Sequence, residues 1–284
     1  MAQRSVFIGL VSHSNSSFLK SQGPEGLAAQ LAVALEKLGF KTSIQVNSTN
    51  LFNMNDFALS PKMARDSVLR EIELESKWSD FLNRPRRASH MLRVLGRRIK
   101  FLFDWYRNSE TSELRRLLNI EYSHVDLYRA AVRSGAHWAV ILEDDAYSED
   151  PLGLARCLSL VNEAELTPKF VNLSSSFPLK QLGISHLMQM TPLEISGDLN
   201  KYFALQARRP ATNTVCAIAF RTDFLAQILA DFDSQPVEPV VPIDWKLNES
   251  LMRLWDANAI GAYECWFIEP APIIQLSMLR DRQS

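Results

Sequence analysis

The order of apolar runs and amphipathic segments predicts an α/β fold: a mostly parallel sheet flanked by helices, with a helical insertion. Three observations carry this expectation. Residues 5–46 read strand, loop, amphipathic helix, strand; residues 123–174 run helix, strand, helix, strand with little slack; residues 60–118 between them are poor in strand formers and rich in charge. At 284 residues, with 46% hydrophobic and 22% charged side chains, the chain has ordinary globular composition. It reads as one domain over 1–284 with the insertion at about 60–118.

The apolar run from Ser5 is the first strand, and the polar stretch "SHSNSS" after it is a loop. Leu27, Leu31, Leu35 and Leu38 then share one helical face, and Gly39 supplies a stop. "KTSIQV" is the second strand. Ser123 with Asp126 three residues on has the form of a capping box and predicts a helix start, with Arg133 and Gly135 marking its end. Trp138 to Leu142 is a buried strand. Asp150-Pro151 gives an N-cap and first helical residue. Further on, "KFVNLSSSF" and "TNTVCAIAFR" read as strands and "TDFLAQILADF" as a helix. Pro236, Pro239 and Pro242 mark a loop, Asp244 opens the helix "WKLNESLMRLWDA", and "AYECWFIEPAPIIQLS" is late strand material broken by prolines.

Composition excludes several classes. A formal net charge of −1 gives no global attraction for nucleic acid. Cys157, Cys216 and Cys265 lie far apart with no CxxC pair, which fits reduced thiols in a cytosolic protein rather than a zinc site or disulfide framework. No run reaches the roughly 18 apolar residues of a membrane span, and the first apolar run reads as a strand rather than a signal sequence. P-loop, GxGxxG and GxSxG patterns are absent from the sequence.

The stretch that demands a chemical explanation is "HWAVILEDDAYSEDP". A buried strand delivers three carboxylates, Glu143, Asp144 and Asp145, to its far end, where ligands bind in open α/β sheets. Adjacent like charges repel, and the next helix already has Asp150 as its cap. The residue types therefore point to a hard divalent cation, Mn or Mg, held by one or two carboxylates. An extended backbone projects Glu143 and Asp145 to one side as metal ligands and Asp144 to the other.

"SHVDLYRAAVRSGAHWAVILEDDA" resembles a segment of the lipooligosaccharide glycosyltransferases (glycosyltransferase family 25), in which a Ser-His helix start precedes a strand ending Leu-Glu-Asp-Asp. The order downstream is similar: "TNTVCAIAFRTDFLAQIL", then Pro242-Ile243-Asp244, then "PAPIIQLS". The likeness covers about residues 120–278. It implies the Rossmann-like GT-A architecture, in which an Asp-x-Asp-like motif holds a divalent metal against the diphosphate of a nucleotide sugar, here expected to be UDP-linked, and transfer inverts the anomeric centre. The first 118 residues depart from the pattern: the early Arg of the first loop is replaced by "SHSNSS", and the insertion is unmatched.

Inversion requires a carboxylate opposite the leaving group to take the acceptor proton. Asp244 is the candidate, and it also stands where the following helix would be capped. His124, by the family's Ser-His pairing, is expected to bridge helix and sheet beside the site. Ser12, His13 and Ser14 offer hydroxyl and amide groups to a base, ribose or phosphate, as ordinary turn residues also would. Asn172, with Ser174, ends a strand and is a further candidate for the nucleotide. The expected reaction moves a hexose to a saccharide or lipid-linked acceptor of a bacterial surface glycan, such as lipopolysaccharide. A nucleotidyltransferase or other metal-assisted phosphoryl-transfer enzyme could use the same strand end, and a non-catalytic, glycosyltransferase-like carbohydrate-binding protein could share the fold.

Residues 84–107 carry eight cations (Arg84, Arg86, Arg87, Arg93, Arg97, Arg98, Lys100 and Arg107) against one acid, Asp104. Leu92, Leu95, Ile99, Phe103 and Trp105 are interleaved. Such a helix either packs its apolar side on the domain or lies on an anionic membrane surface. The second option predicts a cytoplasmic protein, peripheral on the inner face of the plasma membrane.

Overall fold

A computed structural model describes residues 4–12, 26–47, 60–83, 92, 95, 96, 99, 100, 103–164, 167–174, 188–193, 202–212, 214–235 and 239–277. Its first unit is β1 (Ser5–Val11), α1 (Gly26–Lys37) and β2 (Lys41–Asn47), with β1 and β2 parallel. Then come α2 (Pro61–Phe81), α3 (Asp104–Ser134), β3 (Trp138–Glu143), the two-residue β4 (Ala146–Tyr147), α4 (Pro151–Glu163) and β5 (Phe170–Asn172). The remainder is β6 (Met188–Leu193), β7 (Tyr202–Ala207), β8 (Ala217–Arg221), α5 (Thr222–Ser234), α6 (Ile243–Asp256), β9 (Cys265–Glu269) and β10 (Ile274–Gln275).

Among the described residues the main sheet has eight strands in the order β2-β1-β3-β8-β5-β9-β7-β6. Only β8 and β7 run against the other six, as their antiparallel pairings with β3, β5, β9 and β6 require. The expected α/β class and the predominance of one strand direction are therefore observed. Two features differ from the expectation. The strand "CAIAFR" is inserted antiparallel between β3 and β5, and β6–β7 form a hairpin that periodicity does not reveal. Pro192 in β6 lowers its strand signal, and it is tolerated because β6 is an edge strand.

Both sheet faces are covered, which is why β1 and β3 are almost continuously apolar. Val6, Ile8 and Leu10 of β1 join Trp138, Val140 and Leu142 of β3 in a core with Leu27, Leu31 and Leu35 of α1 and Leu154 and Val161 of α4. Each such leucine contributes about 1.5–3 kcal/mol by burial. On the other face Phe7, Val11, Ala139 and Ile141 meet Leu127 and Tyr128 of α3, Phe224 and Ile228 of α5, and Leu247 and Leu251 of α6. A Cβ on Gly9 would lie 2.8 Å from Ile141 Cδ1 and 3.3 Å from Leu127 Cδ1. The missing side chain lets α3 sit close against β1 and β3.

α3 corrects the expectation of a helix start at Ser123. The helix runs unbroken for 31 residues, because neither Gly nor Pro interrupts residues 104–134. Ser123 and His124 are buried in mid-helix instead of exposed at a cap. The expected stop holds: Gly135 has φ 67° and its N–H bonds to Val132 O. Asp150 also acts as expected, its carboxylate accepting from Gly153 N at 2.8 Å ahead of Pro151. α2 and the first half of α3 lie within residues 60–118, and Trp78 of α2 packs edge-on against Trp245 of α6 at 5.7 Å. Among the described residues no helix is long and apolar enough to cross a membrane.

Candidate metal and acceptor-activating site

The parallel register pairs Val11 with Glu143, so Ser12 and Asp144 leave the sheet at the same end. Glu143 is the last residue of β3, and its N–H bonds to Cys216 O at 2.8 Å. By strand alternation it lies on the face covered by α3. There the fully buried His124 approaches it, Nε2 to Oε1 3.3 Å. His124 Nδ1 is buried with no hydrogen-bond partner, which favours the tautomer with the proton on Nε2, donating to the carboxylate. This is the expected bridge between helix and sheet.

Asp144 and Asp145 form a turn rather than continuing the extended strand. The turn is pinned by β4 pairing with β10, Ala146 opposite Gln275, and by Leu276 N donating to Asp145 O at 2.9 Å. The Asp145 side chain is 6% exposed. Ser277 Oγ donates to its Oδ2, and Cys216 Sγ lies 3.7 Å from its Oδ1. Burial raises the Asp145 pKa, and the charges of Glu143 and Asp144 raise it further; the hydrogen bonds from Ser277 and Gln275 act in the other direction. One ligand atom each from Glu143, Asp145 and Cys216 falls within 4.8 Å of the others. Two carboxylates that repel one another at a largely buried point, with a thiol beside them, fit a divalent cation.

Asp244 is the second residue of α6, whose N-cap is Pro242. It is therefore not the cap of that helix, although its Oδ1 accepts from Trp245 N at 3.0 Å. It is partly accessible. Burial lifts its pKa to about 6, with the charges of Glu71 and Glu143 adding to the effect. The sensitivity to Glu143 places Asp244 within electrostatic reach of the strand end. Two cations accompany these acids: Lys246 pairs with Glu121, and Arg116, bonded to Glu113 at 2.7 Å, also responds to the charge of Glu143.

Asn172 sits deeper. At 2% exposure its Nδ2 donates to Ala211 O and Trp266 O, both at 3.2 Å, tying the loop before β8 to the sheet. Ser12 is 5% exposed and its N–H bonds to Asn47 O. His13 and Ser14 lie outside the described residues, as do Arg84, Arg86, Arg87, Arg93, Arg97 and Arg98. Leu92, Leu95, Ile99 and Phe103 are all exposed.

Sequence reasoning did not find Cys216, Ser277, Glu71 or Arg116. Cys216 begins the approach to β8, and only the antiparallel insertion of that strand carries its first residues to the carboxyl end of β3. Compared with known proteins, the chain matches no protein-family model and no curated sequence.

Proposed function

We propose that this protein is a metal-dependent glycosyltransferase of GT-A type. It moves a hexose from a nucleotide sugar, UDP-linked, to a saccharide or lipid-linked acceptor in bacterial surface glycan synthesis, with inversion. The single observation that carries the reading is the meeting of two carboxylates, Glu143 and Asp145, at the end of β3; a third, Asp244, has its pKa lifted to about 6 by burial and in part by the charge of Glu143. A divalent cation bound by Glu143 and Asp145 would stabilise the negative charge growing on the departing diphosphate. His124 holds the Glu143 carboxylate in place. Asp244, ionised just below neutral pH and partly accessible, takes the proton of the acceptor hydroxyl. The basic segment 84–107 docks on an anionic leaflet, where a lipid-linked acceptor would be carried.

The test is incubation with UDP-hexoses and manganese, followed by analysis of what leaves the donor. Release of UDP, with sugar on water or an added acceptor, supports the reading. Release of pyrophosphate from a nucleoside triphosphate and a sugar phosphate would make the protein a nucleotidyltransferase. Binding of saccharide with neither reaction would leave only the non-catalytic role.

A further inference from the structure

We propose that Cys216 is the third protein ligand of the cation site, as a thiolate, and that the site therefore selects borderline-soft cations over magnesium. This inference rests on reading Glu143 and Asp145 as metal ligands, and adds to it the identity of the ion class.

The geometry is the first argument. With bonds of about 2.3 Å to sulfur and about 2.1 Å to oxygen, tetrahedral coordination sets a sulfur and an oxygen ligand about 3.6 Å apart. Cys216 Sγ and Asp145 Oδ1 are 3.7 Å apart, and Glu143 supplies an oxygen within 4.8 Å of both.

The second argument comes from a group outside the cluster. Ser174 is 2% exposed, and its Oγ is buried with no hydrogen-bond partner of ordinary geometry. The antiparallel register of β5 and β8, with Asn172 opposite Ile218 and Leu173 N bonded to Ala217 O, sets it opposite Cys216. An orphaned buried hydroxyl is costly unless a charge forms next to it, and a metal-bound sulfur is such a charge. The backbone N–H of Cys216 is already fixed by Thr214 Oγ1 at 3.1 Å, so the residue is held in position.

On binding, the Cys216 S–H bond breaks, its proton leaves to solvent, and the sulfur lone pair forms the bond to the cation. The sulfur is not oxidised. A sulfur donor favours Zn²⁺, Cd²⁺ and Co²⁺ over Mg²⁺, which takes oxygen ligands in octahedral geometry.

Cobalt titration of the full chain tests this, read by near-ultraviolet absorption and thermal shift together. Wild type should show a sulfur-to-cobalt charge-transfer band that Cys216→Ser lacks. The same variant should lose at least about tenfold in Cd²⁺ affinity while Mg²⁺ affinity stays within about twofold. Should Cys216→Ser fail to fold, a chain with Cys157 and Cys265 replaced by Ala reads the Cys216 sulfur alone. Stabilisation by Co²⁺ without the band, or a band that survives Cys216→Ser, overturns the thiolate and leaves the carboxylate site standing. No stabilisation by any divalent cation removes both.

Discussion

Asp244 is asked to be a base, and its surroundings make that testable in two independent ways. Its folded pKa of about 6 lies above the ordinary 3.8. Between those values the folded chain keeps a proton that the unfolded chain has released, so this group's contribution to stability falls as pH rises from about 4 to 6. Asp244→Asn removes the titration. Denaturant unfolding above pH 6 should then show the variant more stable than wild type, by at most about 2–3 kcal/mol, while transfer drops roughly 10²-fold or more. Loss of both stability and transfer would mark Asp244 as structural. His124 acts through Glu143, so its signature is different. His124→Phe keeps a ring in the buried site but removes the hydrogen bond, and should weaken metal affinity about 10–100-fold, as loss of an orienting partner does. Equal metal affinity in calorimetric titration would reduce the histidine to packing.

At the scale of elements, the site depends on α3 lying close to β1 and β3. Gly9→Ala puts a methyl 2.8 Å from Ile141 Cδ1, an overpacking that costs about 1–3 kcal/mol. By displacing α3 it should also lower metal affinity. Asp150→Ala, which removes the α4 cap at a cost of about 1 kcal/mol, should leave metal affinity unchanged; a parallel loss in both variants would mean that metal binding tracks global stability. The elements that could be read from sequence are those with local signals. β3 and its acidic end announce themselves by an apolar run meeting three carboxylates, α4 by Asp150-Pro151, and the end of α3 by Gly135. What could not be read is set by distant packing. The helix through Ser123 continues because nothing stops it and because the sheet covers His124. The short, partly polar β6 and β7 pair with each other before joining β9. Cys216 reaches Asp145 only because β8 runs antiparallel, and Ser277 only because β10 finds β4.

For the whole molecule, two surfaces of opposite charge divide the work. On the proposed reading, the acidic strand end would take a cation and with it a diphosphate. The basic segment 84–107, of which Leu92, Leu95, Ile99 and Phe103 are exposed, would on the same reading face anionic lipid. The protein should co-sediment with anionic liposomes but scarcely with neutral ones, and less as salt rises, since exposed charges are screened beyond roughly 8 Å at physiological ionic strength. Replacing Arg93, Arg97 and Arg98 by Gln should weaken sedimentation without altering metal binding, whereas equal indifference to both liposomes would return the segment to a surface helix that packs its apolar side on the domain. The most direct test of the central claim is thermal unfolding with UDP, in manganese and in chelator, for wild type and Asp145→Ala. A ligand at a hundred times its Kd adds about 2.7 kcal/mol, several degrees in Tm for a chain of this length. The account predicts that rise for wild type only with manganese, and none for Asp145→Ala. A rise of equal size in chelator, or one undiminished in the variant, would contradict it.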